Sequence, residues 1–390
     1  MSAVPQILGV VGAGTMGAGI AQVALEAGWQ VRLHDPFAGT VVRGRERIAD
    51  GLRRRASKRG LVGHEANVWV DDHRARLTTA PDLTTLVTDI DLVIEAIVED
   101  LEPKRELFGA LDAAASPGTI LATNTSAQSV TAIAEGARTH PERVLGLHFF
   151  NPAPVMLLVE VIAAARTDPA VLERGTRIVT DWGKTPVRSA DSPGFIVNRV
   201  NRPFTIEALR MLEAGEARVA EIDTAVRADG FSMGPFELMD LVGLDVNLAA
   251  ATGVWYGLGR PERLRPSGIQ DWLVDHRRLG RKAGVGFYRY DQVHDPLVEP
   301  LPRAIARPVH ADRSLTPHEI VLRIRSAIAA EAVLTRDAGV ASEADIDAAL
   351  WLGAVHPDGP FAWLRRHDPT DESQVGCRRR PPGASSSRCG

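Results

Sequence analysis

The sequence predicts an α/β Rossmann-type doubly wound sheet domain followed by an all-α C-terminal domain and a partial second copy of that helical domain. Three observations carry the prediction. A glycine fingerprint joins a strand pattern to a helix pattern near the N-terminus, strand–helix alternation continues to about residue 190, and a helical pattern after Pro193 recurs further along the chain. The expected division is 1–190 for a nucleotide-binding domain, 191–290 for the helical domain, 291–317 for a linker, 318–368 for the partial copy and 369–390 for a disordered tail.

Ile7–Val11 is a short apolar run of the kind found in buried parallel strands. It enters Gly12-Ala-Gly14-Thr15-Met16-Gly17 and then Ala18–Ala27, a small-residue helical pattern stopping at Gly28; Gln30–His34 reads as the next strand. The spacing alone is a weak signal, but strand before and helix after make it a dinucleotide fingerprint. Gly12 permits the tight turn, Gly14 lets backbone approach a pyrophosphate, and Gly17 allows close helix–strand packing, with the phosphates on the helix N-terminus beside Thr15 and Met16. Asp35 closes the second strand, 18 residues after Gly17. A carboxylate there accepts from ribose hydroxyls and repels a 2′-phosphate, which favours NAD over NADP. Arg32, earlier on the same strand, is the basic neighbour to be placed.

Asp91–Ile97 is the next strand, followed by a helix opening near Pro103 with Leu107, Phe108 and Leu111 on one face. Thr119–Thr123 is another and leads into Asn124-Thr-Ser126. Ligands of doubly wound sheets gather at the carboxyl ends of the strands, where Glu99, Lys104, Asn124 and Ser126 all fall. Singly, each reads better as a helix cap, a loop polar residue or an exposed charge, and their shared location is what lifts them.

Leu145–Val161 places His148 and Glu160 in two apolar strand-like runs separated by Asn151-Pro-Ala-Pro. A charged side chain in such surroundings needs a partner, and a His–Glu pair can accept a proton near neutral pH. Beside a nucleotide site, the segment reads as the acid–base centre of an oxidoreductase. By itself, His148 would be a core histidine and Glu160 an edge-strand carboxylate.

The helical half repeats. Ile196-Val-Asn198-Arg199 with Glu207, Ala214-Gly and Ile222-Asp recurs as Ile320-Val-Leu322-Arg323 with Glu331, Ala338-Gly and Ile346-Asp, at a constant offset of 124. Gly234-Pro-Phe236 recurs as Gly359-Pro-Phe361 after one inserted residue. Leu322 replaces Asn198, so the copy is expected to be structural and the chain to carry one active site. Beyond Asp368 the composition changes, and the expectation is a truncation or a shift of reading frame.

Net charge −4 gives no reason to expect nucleic acid or a membrane surface as partner. The two cysteines, Cys377 and Cys389, exclude a disulfide framework or a multi-cysteine metal site and fit a reducing, cytoplasmic setting.

With Gly-x-Gly-x-Met-Gly, Glu-Ala-Ile-Val-Glu-Asp, Ala-Thr-Asn-Thr-Ser and Gly-Leu-His-Phe-Phe-Asn-Pro in this order, the chain resembles the 3-hydroxyacyl-CoA dehydrogenases. Gly183–Val187, Asp191–Arg199 and Gly280–Tyr288 continue the match, which spans about residues 6–290 and is similar to bacterial members with a duplicated C-terminal region. The resemblance implies NAD-dependent oxidation of short-chain (S)-3-hydroxyacyl-CoA, such as 3-hydroxybutyryl-CoA, in fatty-acid or aromatic-acid degradation, with 3-hydroxyadipyl-CoA as the alternative substrate. It implies His148 as base and Glu160 as its partner, with Ser126 and Asn198 contacting substrate oxygens. Asp35, Glu99, Lys104, Asn151 and Lys282 match positions contacting NAD, and Lys58 matches a lysine that meets the CoA phosphates. A homodimer through the helical domain is expected, although a duplicate could imitate the partner within one chain. Two other readings stand beside this one. A β-hydroxyacid dehydrogenase on free acids would use a catalytic lysine where His148 and Glu160 stand, and a non-catalytic NAD-binding protein would not need all four active-site polar groups.

Overall fold

The computed structural model describes residues 6–290, 297–309 and 314–367. Eight strands form one sheet: β1 (Ile7–Val11), β2 (Gln30–His34), β3 (Leu77–Thr79), β4 (Leu92–Glu95), β5 (Ile120–Thr123), β6 (Val144–Phe149), β7 (Leu158–Ala163) and β8 (Thr185–Ala190). Their order is β3-β2-β1-β4-β5-β6-β7-β8, with β1 to β6 parallel. Helices cover both faces, so the central strands are mostly apolar, as parallel strands buried on two sides are. Between β1 and β4 the strand order reverses, and the crevice at that switch point opens over the β1 carboxyl end.

The sheet departs from simple alternation at β7. The Asn151–Pro154 turn is too short for a helical crossover, so β7 returns antiparallel to β6, and β8 then lies parallel to β7. Lys184 fixes that turn by donating to the carbonyls of Ala153 at 2.6 Å and Met156 at 2.8 Å.

The helical half begins with Val197–Val200 and Arg202–Ala214, interrupted where Pro203 lacks an N–H. Val219–Ala228, Pro235–Val242, Leu244–Gly257 and Gly268–Asp275 follow, and after the linker Pro317–Asp337, Glu343–Gly353 and Pro360–His367. The repeated Gly-Pro-Phe has a physical cause. Asp223 accepts the amides of Phe236 and Glu237 at 3.0 and 3.2 Å, and Asp347 accepts those of Phe361 and Ala362 at 2.8 and 3.0 Å. A Cβ on Gly234 or Gly359 would overlap the capping aspartate in either copy.

The copies meet reciprocally. Arg199 Nε donates to Glu331 Oε1 and Arg323 Nε to Glu207 Oε2, both at 2.8 Å. Arg199 and Arg323 occupy equivalent positions, as do Glu207 and Glu331. Such an exchange is the mark of a two-fold relation between like surfaces, here formed within one chain. Part of the expected linker is also ordered: Leu297–Val298 pairs antiparallel with Tyr288–Arg289, and Glu299 holds both Arg278 and Arg289. The expected tail, 369–390, lies outside the described residues. No single helix among those described is long and apolar enough to cross a membrane.

Candidate active site

The antiparallel register sets His148 directly opposite Glu160. His148 Nδ1 lies 2.6 Å from Glu160 Oε2, and both residues are buried. Glu160 Oε1 accepts the amides of Ile196 at 3.0 Å and Val197 at 2.9 Å, where the helical domain begins. A carboxylate that accepts on both oxygens leaves the Nδ1 proton on His148, so Nε2 carries the free lone pair. Nε2 has no partner among the described residues, and His148 lines the cleft between the two domains. The rings of Phe150 and Phe195, with centroids 4.5 and 5.9 Å from the imidazole, keep water from its faces.

That cleft, about 850 Å³, brings together most of the residues expected from sequence: Gly14, Thr15, Met16, Glu99, Lys104, Ser126, His148, Asn151 and Asn198. Asn198 Nδ2 donates to the Ser126 carbonyl at 3.2 Å, joining the helical domain to the end of β5. Asn124 is held in place by accepting the Phe149 amide at 2.8 Å.

The nucleotide end has its own framework. A Cβ at Gly12 would strike the Ala96 carbonyl, and one at Gly17 the Gly12 carbonyl, whereas one at Gly14 would meet no protein atom within 4 Å. Gly12 and Gly17 are therefore required by the fold. Gly14 leaves backbone open at the N-terminus of the helix Thr15–Glu26, which no side chain caps. That arrangement fits a pyrophosphate. Asp35 accepts the amides of Ala13 and Phe37, both at 3.0 Å, which fixes its carboxylate beside the turn. Arg32 points elsewhere, donating to the carbonyls of Leu86 at 3.3 Å and of Thr88. Arg32 is thus directed away from a 2′-phosphate at Asp35.

Lys104 is more deeply used than its position after a strand suggested. Its Nζ lies 2.6 Å from Glu95 and 3.1 Å from Glu99 and is almost fully buried. Glu99 in turn accepts the Thr125 hydroxyl at 2.7 Å and the amides of Ser126 and Ala127 at 2.8 and 2.9 Å. Burial alone would push the Glu99 carboxyl up, but Lys104 and these donors outweigh it and hold it below its ordinary range. Glu95 is the member that sequence reading missed; its signal was a carboxylate closing an otherwise apolar strand.

Lys282 and Lys58 do not line this cleft. Lys282 pairs with Asp245 at 2.5 and 2.7 Å in the helical domain, because the nearest carboxylate is on the adjoining helix Leu244–Gly257. Lys58 ends the helix Ala38–Lys58 and lines a second cleft of about 290 Å³, shared with Arg47, Arg54, Thr15 and Asn151. Arg47, Arg54 and Lys58 have no carboxylate partner among the described residues. The other cations of the run are engaged: Arg53 with Asp50, Arg55 with Glu26, and Arg59 over the Trp69 ring. The spacing 47, 54, 58 is one helical stripe and could have separated Arg47 and Arg54 from the solvated cations.

Comparison with known proteins places this geometry. Residues 7–192 match the family model described as 3-hydroxyacyl-CoA dehydrogenase, NAD binding domain, and residues 194–290 match the corresponding C-terminal domain. The chain is 37% identical to a 3-hydroxyadipyl-CoA dehydrogenase of Escherichia coli, over 92% of this chain and 90% of that one. It is 42% identical to a 3-hydroxybutyryl-CoA dehydrogenase of Mycobacterium tuberculosis, over 74% of this chain and all of the relative. Among solved structures, a 3-hydroxybutyryl-CoA dehydrogenase from Escherichia coli superposes with a TM-score of 0.82 at 36% identity, covering 94% of this chain and 92% of that one.

Proposed function

The chain belongs to the 3-hydroxyacyl-CoA dehydrogenase family, and on that premise we propose that His148 is the base that takes the proton of the substrate's 3-hydroxyl. The reaction is the reversible oxidation of (S)-3-hydroxyacyl-CoA to 3-oxoacyl-CoA, and the cofactor is NAD. When bound, NAD supplies the hydride acceptor. His148 Nε2 receives the proton while Glu160 holds Nδ1–H and stabilises the resulting imidazolium. Ser126 and Asn198, joined at the mouth of β5, hold the oxygen on the reacting carbon. Gly12, Gly14, Thr15, Met16 and Gly17 form the turn for the pyrophosphate. Asp35 takes the ribose, and Glu99, Lys104 and Asn151 support the nicotinamide end, with Lys282 reaching it only if it leaves Asp245. Lys58, with Arg47 and Arg54, meets the CoA phosphates as point charges. The observation that carries the reading is the His148–Glu160 pair on the wall shared with Gly14 and Asn198. Following absorbance with acetoacetyl-CoA tests it: NADH should be consumed and NADPH barely, and consumption of neither would overturn it.

The acyl chain is proposed to be short, as in the relatives' substrates. A single active site per chain is part of the proposal: in the copy Leu322 replaces Asn198, and among the described residues no second sheet domain accompanies it. The division at 1–190, 191–290, 291–317 and 318–368 belongs to the same proposal, as does a cytoplasmic setting, which the two-cysteine composition supports.

Two arrangements of the helical domain were expected, a homodimer and a copy that imitates the partner within one chain, and the second is favoured by the contacts between the copies. The reciprocal Arg199–Glu331 and Arg323–Glu207 pairs already join two like surfaces in cis. We propose that one chain builds this two-fold interface alone. Sedimentation should show a 42.0 kDa species, and a stable dimer dissociated by Arg323→Met would contradict it.

A further inference from the structure

The far end of the main cleft is built unlike the rest. Val197, Phe204, Phe231, Met233 and Val246 make its walls apolar, yet Arg202 lines it and is only 6% exposed. Its Nε donates to the Asn198 carbonyl at 3.0 Å and its Nη1 reaches the Asn247 carbonyl at 3.5 Å. Nη2 has no hydrogen-bond partner, and no carboxylate pairs with the guanidinium, among the described residues. Other buried arginines are balanced: Arg143 by Asp112, Arg199 by Glu331 and Arg325 by Asp229 and Asp358. An uncompensated buried charge is costly, so a group retained in that state points to an anionic ligand.

Polar residues line the same cleft. Asn201 and Asn247 line the cleft beside Arg202, and Ser232 lines it as well. The partial copy closes this end with Gly353–His356. Burial, with Arg325 beside it, pushes His356 down to about 3, so the ring is neutral and Nε2 donates to Asn201 Oδ1 at 2.8 Å. The Arg202 guanidinium is also pushed down by burial, to about 10, and still carries its charge at neutral pH.

We propose that Arg202 receives the terminal carboxylate of a 3-hydroxy dicarboxylic acyl chain, making it the residue that selects a six-carbon diacid thioester over a neutral acyl chain. The proposal rests on the dehydrogenase reading above. Arg202 follows Asn198 across the junction of two helices and donates to its carbonyl at 3.0 Å, so the two residues adjoin on this wall of the cleft. From the reacting C3 to the carboxyl carbon of a six-carbon chain is three bonds, on the order of 4 Å at ordinary bond lengths. With the C3 oxygen at Asn198, a bidentate carboxylate then falls within reach of the free Nη2 edge. The equivalent of Arg202 in the partial copy is Ser326, consistent with one such site per chain.

The test compares kcat/KM of the wild-type protein for 3-hydroxyadipyl-CoA, its terminal methyl ester and 3-hydroxyhexanoyl-CoA. The free diacid should exceed both neutral substrates by about 10- to 100-fold, the range for a hydrogen-bonded charge. In Arg202→Leu that ratio should collapse toward one. Equal wild-type values for the acid and its ester would overturn the proposal without any variant, so misfolding of Arg202→Leu does not rescue it. A preference that survives in a folded Arg202→Leu would equally overturn it. No NADH from any of the three would instead remove the dehydrogenase reading, and this proposal with it.

Discussion

Glu160 is shared between two neighbours: Oε2 holds the His148 imidazole and Oε1 holds the backbone at Ile196 and Val197. The same carboxylate therefore sets the tautomer of the base and ties the helical domain to the sheet. Glu160→Gln separates these roles. The amide oxygen can still accept from Ile196 and Val197, but its NH₂ would donate to His148 Nδ1 and move the imidazole proton to Nε2. The expected outcome is a fall in kcat of about 100-fold or more with a melting temperature close to wild type. Glu160→Ala should add a loss of stability, about 1–3 kcal/mol for each amide left unsatisfied. Equal kcat in Glu160→Gln and wild type would show that the tautomer is not set by this pair.

Gly14 and Gly17 differ in what their missing side chains avoid, and the prediction follows. Gly17→Ala drives a methyl into the Gly12 carbonyl and should lower the melting temperature markedly. Gly14→Ala meets no protein atom, so the fold should stand while NAD affinity, measured by fluorescence titration, drops about tenfold or more. Unchanged affinity in Gly14→Ala would argue against phosphate lying on this turn.

The basic stripe can be read through truncated substrates. Lys58→Ala and Arg54→Ala should raise KM for acetoacetyl-CoA several-fold, more at low salt than at high salt. They should leave acetoacetyl-pantetheine, which lacks the nucleotide phosphates, unaffected. A parallel rise for both substrates would assign these cations to the fold.

Glu99 gives a pH signature. Its carboxyl is held below the usual range in the folded protein, burial being outweighed by Lys104, Thr125 and the Ser126 amide. The folded state then binds fewer protons than the unfolded state as the solution is acidified through the carboxylate range. This contribution is complete above the ordinary glutamate pKa of about 4.3 and is lost as pH falls through the depressed value. The difference in melting temperature between wild type and Glu99→Gln should therefore be largest near pH 7 and shrink toward pH 3. A difference independent of pH would mean that the Glu99 charge does not stabilise the fold.

How far the sequence revealed all this depends on whether a feature is local. The Gly12–Gly17 turn, the strands around it and the Asp35 carboxylate were legible because each follows from neighbours along the chain. His148 and Glu160 were legible as ionisable groups in apolar runs, but their facing register comes from the antiparallel turn of β7. Lys104 was placed near a strand end, whereas its clamp between Glu95 and Glu99 exists only after β4 and the following helix fold together. Arg202 stands at the start of a helix, where nothing in the local sequence singles it out. Its isolation from any carboxylate depends on what packs around it, including the loop at Gly353–His356 from the second copy. The repeat was visible as an offset of 124, but the exchange of Arg199 and Arg323 between copies is a property of their packing.

The central claim is that His148 Nε2 is the proton acceptor of the reaction, and NADH oxidation by acetoacetyl-CoA in wild type and His148→Gln tests it most directly. Gln preserves a polar side chain that can still meet Glu160 but cannot take up the proton. The account predicts a kcat lower by about 10²–10⁴ with NADH affinity retained. Equal rates in the two proteins would contradict it.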